Sequence, residues 1–414
     1  MVTKMSADTR HVVTLGASLT ANKGAAAMLT AIHQRLPSHV GAMKLSVLST
    51  DPTGDRERSL DFDSTEIVDL RPFRLALIEV PAAVVAAALR TIGMPVRFTT
   101  FTTVGRRLAD ADVAVDLAGI SFVDFRGMPN LVYNTLMSSL PLLHGTPTVK
   151  AAQAIGPCRK PLTRILASRV LKRMRWIGAR GDTTLQHLQE LDLNNIEQVA
   201  DLAFGMTEDS ALPDAVINRL PAGAFITVMP SIVVERLMDD EPAQYLDAMA
   251  TMISELALST NVPVVLAAHS YEPSLKRHRM NDRPTLLDLA QRLGSEDLVT
   301  VIDTELTAAQ LRALISRSEF LVTSRFHAMI SALATSTPVF VIGWSHKYRE
   351  VLGDFGLERL GAGHDRLNNA AELARTIAAE FDTRAMIADN IKKGLPDVKA
   401  RSAINFVRIA ENMR

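Results

Sequence analysis

The chain of 414 residues has a single cysteine, Cys158, so an internal disulfide framework and a Cys-rich zinc site are excluded. The reducing cytoplasm fits that composition. Net charge is also missing, with 45 Lys+Arg against 45 Asp+Glu, which gives no support for a nucleic-acid binder held by phosphate contacts. No secretory signal opens the chain: Met1 to Arg10 is polar, and the apolar run that follows extends only from Val12 to Leu15. Long apolar runs are scarce. The most apolar stretch, Leu75 to Val96, contains Glu79, Pro81, Arg90 and Pro95 and would span a bilayer poorly. It reads as a helix packed on a sheet or as an apolar surface helix resting on a membrane. No Gly-x-Gly-x-x-Gly follows the first strand, and Walker-type Gly-Lys-Ser/Thr, His-Glu-x-x-His, Gly-x-Ser-x-Gly and paired Cys-x-x-Cys motifs are all missing. Dinucleotide oxidoreductases, P-loop ATPases, zinc proteases and α/β-hydrolases lose weight accordingly.

Hydrophobic residues make up 47% of the chain, enough to fill two cores, and the length suggests two domains of about 200 residues each. Short apolar, β-branched runs alternate with longer helical patterns. Strands are expected at His11–Leu15, Lys44–Leu48, Val113–Leu117, Thr148–Ala151 and Trp176–Gly178. The alternation restarts with Phe225–Met229, Val262–Ala267, Leu298–Ile302, Phe320–Thr323 and Val339–Ile342. Such spacing indicates parallel βαβ units. The expected fold class is α/β, with two Rossmann-like parallel-sheet domains facing a cleft. An N-terminal domain is placed at 1–207, a linker at 208–223, a C-terminal domain at 224–383, and a helical tail at 384–414 that packs back on the first domain. Ligands of such sheets sit beyond the carboxyl ends of the strands, so the loops there are where chemistry is sought.

The first loop ends in Asn22-Lys23-Gly24 and three alanines. Small residues let a ligand approach the backbone at a helix start, although Asn22 as a plain helix cap explains the same pattern. Asp124, after a Gly/Ser loop, is placed either to accept from a sugar hydroxyl or to cap the next segment. Gln153 stands just beyond a strand, placed to hydrogen-bond a polar ligand. Arg180 ends another strand and suits a carboxylate or phosphate, or else is a solvated surface residue. The densest signal is Thr323-Ser324-Arg325-Phe326-His327, where a buried strand meets a small-residue helix. A helix N-terminus, a guanidinium and an imidazole within one turn make an anion site with a group that titrates near neutrality. Trp344-Ser345-His346-Lys347 follows the next strand and reaches the same edge.

Taken together these segments resemble the polysaccharide pyruvyltransferase family. Asn22-Lys23-Gly24-Ala25-Ala26-Ala27 is similar to its first-loop motif, and Ala154-Ile155-Gly156-Pro157 to its Gly-Pro segment. Ala179-Arg180-Gly181-Asp182 and Asp201-Leu202-Ala203-Phe204 resemble two further motifs, and Ser324-Arg325-Phe326-His327-Ala328 with Pro338 and Lys347 its signature. The resemblance covers roughly residues 11 to 360, in the family's order. Ala25-Ala26 stand where the family often has an acid, Ala118-Gly119-Ile120 where it often has three glycines, and Thr183-Thr184 where a serine is common.

The resemblance implies a fold similar to the two-domain GT-B glycosyltransferases. It also implies transfer of pyruvate from phosphoenolpyruvate onto two hydroxyls of one sugar, giving a cyclic ketal and phosphate. His327 is then the expected general acid, its imidazolium favoured by the donor's two anionic groups. Arg180, Ser324, Arg325 and Lys347 bind the donor; Asn22, Gly24, Asp124 and Gln153 receive a sugar, oligosaccharide or lipid-linked glycan on the first domain. Neither a metal nor a redox cofactor is expected, phosphoenolpyruvate being a co-substrate. The chain is placed in the cytoplasm, at the inner membrane face if the apolar helix binds there, and homo-oligomerisation is left open. His269 and His346 are the alternatives to His327 as proton donor. Two other functions compete: a GT-B glycosyltransferase with a nucleotide-sugar donor, and a relative that holds glycan without turnover.

Overall fold

The structure is a computed structural model and describes residues 9–20, 22–59, 62–95, 100–207, 210–238, 242–294, 298–343 and 346–414. Trp344 and Ser345 lie outside the described residues, as does the side chain of His346. Two compact units result. The first comprises Met1–Thr20, Met28–Met206 and Lys399–Arg414, and the second Ala21–Ala27 with Thr207–Val398.

In the first unit the strands are β1 Arg10–Leu15, β2 Met43–Ser49, β3 Thr65–Asp69, β4 Val113–Asp116, β5 Ile120–Ser121, β6 Thr148–Ile155, β7 Trp176–Arg180 and β8 Ile196–Val199. They form one parallel sheet in the order β3-β2-β1-β4-β6-β7-β8, with β5 also paired to β6. The second unit carries β9 Ile226–Met229, β10 Val264–Ala267, β11 Val299–Ile302, β12 Phe320–Thr323, β13 Val339–Gly343 and β14 Gly361–Gly363, parallel in the order β11-β10-β9-β12-β13-β14. Central strands such as β4 and β12 are buried at every residue, which is why they read as unbroken apolar runs. In both sheets the strand order reverses beside the first strand, at β1/β4 and at β9/β12. Those switch points are where open α/β sheets take their ligands.

The helix Pro72–Thr91 is packed in the core along one side and exposed along the other. Leu75, Ala83 and Ala86 are buried, the first two in a core with Val13, Leu15, Leu108 and Leu140. Phe73, Leu77, Val84 and Val85 on the other side are exposed.

The C-terminal helix Arg384–Glu411 belongs to the first unit from Lys399 onward. There Ser402 donates to the Asp201 carbonyl at 2.8 Å and Asn405 to the Ala200 carbonyl at 3.1 Å. The Phe406 ring lies where a Cβ on Gly205 would meet it at 2.7 Å, so the helix sits hard against the backbone after β8. Phe406 is buried, and Phe406→Ala removes a ring whose cavity only partly collapses. The substitution is expected to cost about 3–5 kcal/mol, read as a lowered midpoint in urea denaturation; a change within experimental error would show that this helix does not support the first unit.

Candidate active site

In the second unit β12 delivers the densest polar cluster of the chain to the carboxyl edge of its sheet. The strand end is tied to its neighbour β9: the Thr323 hydroxyl donates to the Met229 carbonyl at 3.3 Å, and the Arg325 amide donates to the Thr323 hydroxyl at 3.0 Å. Ser324 is buried, and its carbonyl accepts the Tyr348 hydroxyl at 2.9 Å. Arg325 is the extended residue that starts the helix Phe326–Ala334.

The Arg325 guanidinium is held by a carboxylate that sequence reading did not single out. Its Nε donates to Asp282 Oδ2 at 2.8 Å, its Nη2 donates to Asp282 Oδ1, and Nη2 also donates to the Arg279 carbonyl at 3.2 Å. Asp282 is completely buried and accepts two backbone amides as well, Ile232 on Oδ1 and Ser270 on Oδ2, both at 3.0 Å. One carboxylate thus joins the segments after β9, β10 and β12. In sequence, Asp282 before Arg283-Pro284 looks like any helix start, and the arginine it serves is 43 positions away.

His327 occupies the next turn, its ring edge-on to Phe326 at a centroid distance of 5.2 Å. Its closest constraint is Gly24, because a Cβ at that position would lie 2.1 Å from His327 Nδ1. Residues 22–27 pack as part of the second unit, so Asn22 and Gly24 stand with His327 and not on the first unit, where the acceptor loops were expected. The absent side chain at Gly24 makes room for the imidazole, a reason for the glycine that does not involve a ligand. Asn22 Oδ1 accepts the Gly24 amide at 3.2 Å, the helix cap that was the plainer reading of that residue. Lys23 is buried and its Nζ meets Glu305 at 2.7 Å.

Two further groups complete this edge. Lys347 holds its ammonium 4.7 Å from the centre of the Phe326 ring and 5.5 Å from that of Tyr348, a cation–π arrangement. His269, after β10, is buried; burial pushes its pKa well below the ordinary imidazole value, and neighbouring Arg325, His327 and Lys23 act in the same direction. His269 is therefore a neutral imidazole at neutral pH, which removes it as a cationic proton donor. The edge gathers Lys23, Arg325, Lys347 and two imidazoles, an arrangement suited to a small anion with more than one charged group.

The candidates of the first unit are engaged internally. Arg180 is buried at the end of β7, donating to Asp201 Oδ2 at 2.7 Å and to the Gly119 carbonyl at 3.1 Å. It was expected to project toward a ligand; instead it anchors the loop after β4 and the turn at Leu202. Gln153 is fully buried, its amide donating to the Asp116 carbonyl at 2.7 Å and to Asp116 Oδ1 at 2.8 Å, its oxygen accepting from Ser121 at 2.9 Å. The expected place of Gln153 just beyond a strand is corrected: β6 continues to Ile155, so position 153 is inside the strand. Asp116 is paired with the buried ammonium of Lys150. Asp124 accepts the amides of Arg159 at 2.6 Å and Lys160 at 3.2 Å. Its partial desolvation, which favours the neutral acid, is outweighed by hydrogen bonds from Thr163 and those amides, so its pKa is lowered. Arg180, Asp124 and Gln153 belong to one unit, and Asn22, Gly24, Ser324, Arg325, His327 and Lys347 to the other. Among the described residues no cluster of three or more metal-ligating side chains is found.

Asp282→Ala would leave the guanidinium of Arg325, only 14% exposed, without its counter-charge. Breaking such a pair from one side is expected to cost about 3–5 kcal/mol in urea denaturation, while Asp282→Leu combined with Arg325→Met recovers a good part of it. Equal losses for the single and double variants would refute the pairing.

The polysaccharide pyruvyl transferase family matches residues 22–346. The amylovoran biosynthesis protein AmsJ of Erwinia amylovora is 20% identical over 295 residues, 69% of this chain and 69% of that protein. Solved structures of similar fold include a putative UDP-N-acetylglucosamine 2-epimerase from Listeria monocytogenes, with TM-score 0.60 and 12% identity over 92% of this chain and 90% of that one. UDP-GlcNAc 2-epimerase from Neisseria meningitidis bound to UDP-GlcNAc gives TM-score 0.59 and 12% identity, covering 95% and 98%. An α,α-trehalose 6-phosphate synthase from Burkholderia multivorans gives TM-score 0.55 and 11% identity, covering 97% and 98%. At such identities the likeness is one of fold, the GT-B fold of two parallel-sheet α/β domains. The family match runs from the helix start at Asn22 through the Ser324-Arg325-Phe326-His327 cluster, well over half of the sequence: this chain belongs to the polysaccharide pyruvyl transferase family.

Proposed function

We propose that this transferase moves pyruvate from phosphoenolpyruvate onto two hydroxyls of one sugar of a glycan acceptor, closing a cyclic ketal and releasing phosphate. The observation that supports this reading most is the edge of the second sheet. Lys23, Arg325 and Lys347 suit the carboxylate and phosphate of such a donor, and of the two imidazoles beside them His269 is kept neutral. His327, in the first turn of the helix that Arg325 starts, is the group this reading assigns to give a proton.

In this reading His327 gives a proton to the methylene carbon of the donor, which becomes a methyl group while C2 becomes electrophilic. One sugar hydroxyl adds to C2 and its proton returns to the imidazole. The C2–O bond to phosphate then breaks, and the second hydroxyl adds to C2 with loss of its proton to the departing phosphate. Fixed cations stabilise the charge on the leaving group at every stage. Ser324, its backbone amide on the Met229 carbonyl and its carbonyl on the Tyr348 hydroxyl, holds the strand end from which the helix of His327 starts. On the first unit, Arg180 and Gln153 act by holding the loops at the carboxyl ends of β4 and β7, and the acceptor meets those loops and the surface near Asp124. The reaction is placed in the cytoplasm, where the buried thiol of Cys158, its pKa pushed up to about 12 by burial, stays reduced and inert.

The test is incubation with phosphoenolpyruvate and a glycan extract, following phosphate release and the mass gain of one pyruvyl ketal. Stabilisation by UDP-sugars in a thermal-shift assay, with none by phosphoenolpyruvate, would favour a glycosyltransferase instead. Folded His327→Gln at saturating donor is expected to turn over about 100 to 10,000 times more slowly than the parent, with modest loss of donor affinity and an unchanged melting curve. Gly24→Ala, which drives a methyl group into the imidazole, is expected to lower turnover in the same sense. Parental turnover in folded His327→Gln would sink the assignment.

A further inference from the structure

One side of the first unit is apolar and cationic at the same time. The helix Pro72–Thr91 keeps Leu75 and Ala83 in the core and turns Phe73, Leu77 and Val85 outward, 70%, 62% and 51% exposed. It packs on the helix Gly127–Leu143, which packs in turn on the helix Pro161–Leu171. Arg90, near the end of the first, donates to the His144 carbonyl at 2.6 Å just past the end of the second, so the two lie side by side. The neighbouring helices add Met128, Leu162 and Ile165 to the exposed apolar surface.

Exposed cations gather around the third of these helices. Between Asp124 and Asp182 the sequence has ten Lys/Arg and no acid; Lys150 and Arg180 are buried and paired, while seven, from Arg159 to Arg175, are exposed. Glu79 is itself buried and paired with Arg74 at 2.8 Å, so it does not offset the outer charge. In a chain of zero net charge this is a strong local excess of one sign. Arg159 and Lys160 just before the helix Pro161–Leu171, Arg164 and Arg169 on it and Lys172 just after it are all exposed, close in sequence to Leu162 and Ile165.

An exposed apolar area of this extent marks an interaction surface. A second copy of the chain, meeting this face with its own, would set like charges against one another. A bilayer with anionic headgroups offers apolar depth for Leu77, Val85 and Ile165 and negative charge for the surrounding arginines and lysines. We propose that this face docks on the surface of an anionic bilayer, with the helix Pro72–Thr91 lying in the headgroup plane. It does not cross, because Leu75, Ala83 and Ala86 remain packed in the first unit. The inference adds a partner to the proposed reaction and stands whether or not that reaction is the right one.

The experiment is co-sedimentation of the full chain with vesicles of phosphatidylcholine alone, or with about a third phosphatidylglycerol. Binding is expected to the anionic vesicles, at least roughly tenfold weaker to the neutral ones, and weakened similarly in about 0.5 M salt. Arg164→Glu with Lys172→Glu, and separately Leu77→Ser with Val85→Ser, are each expected to lower vesicle affinity about tenfold or more with unchanged melting curves, since all four residues are outside the core. Absence of binding, equal binding to both vesicles, or indifference to both pairs of substitutions would overturn the proposal. So would a dimer in light scattering that the Leu77→Ser/Val85→Ser pair dissociates. Transfer to a water-soluble oligosaccharide should stay at the parental rate in both variants; its failure in the parent chain would count against the reaction and leave the docking result intact.

Discussion

The carboxylate of Asp282 is the constraint on which the working edge of the second unit depends. It takes the Arg325 guanidinium on both oxygens and two backbone amides besides, with no water contact of its own. In so dry a position a lone charge would be prohibitively expensive, and four donors around two oxygens are what make it tolerable. The consequence is geometric. Arg325 begins the helix that carries His327, so fixing the guanidinium fixes the first turn and the direction of the imidazole. Its positive charge also helps to keep nearby His269 neutral. One buried anion therefore fixes the helix start that carries His327, while His269 is kept neutral chiefly by its own burial.

The first unit applies the same principle with different residues. Arg180 at the end of β7 is matched by buried Asp201, and Lys150 within β6 by buried Asp116. In each case the acid comes from a different strand end and also accepts a backbone amide, Ala203 for Asp201 and Ala118 for Asp116. A cation held in this way cannot swing toward an arriving anion. What it contributes is preorganisation, because its orientation is settled by folding and no rearrangement is left for the reaction. Loops that would otherwise fray at the sheet edges are bound to the sheet by charge, as packing alone would not bind a Gly/Ser segment such as that around Gly119.

Much of this was legible in the sequence, and the parts that were not share physical causes. Central strands read correctly because burial on both faces demands continuous apolar runs, as in Phe320–Thr323. The missed strands Thr65–Asp69, Ile196–Val199 and Gly361–Gly363 lie at sheet edges, where solvent permits glutamates, glutamines and glycines that carry no strand signal. The Ser324-Arg325-Phe326-His327 cluster stood out because its polar groups interrupt an apolar context. Gln153 and Arg180 were misread through strand length: both strands run two to four residues further than their apolar runs, which draws the side chains inward. Asp282 and Glu305 were invisible for another reason. Each gains its meaning from a partner brought close by folding, and a single acid before a helix looks the same with or without one.

The balance of 45 positive and 45 negative residues conceals two kinds of cation. Arg325, Lys23, Arg180 and Lys150 each face an acid within the fold, and the exposure of these four ranges from 0% to 14%. Paired in this way, each of the four keeps a fixed place in the fold and acts from there. The cations between Asp124 and Asp182 that lie on exposed helix have no acid in their own stretch of sequence and depend on solution counter-ions. Only the second kind can exchange those counter-ions for an external anionic surface, and it occurs beside Leu162 and Ile165, whose burial would add an apolar gain to the electrostatic one. Neutrality of the whole is thus compatible with a strongly directional molecule. Four acids, Asp282, Glu305, Asp201 and Asp116, match the buried cations, and none lies between Asp124 and Asp182, where exposed cations accompany Leu162 and Ile165.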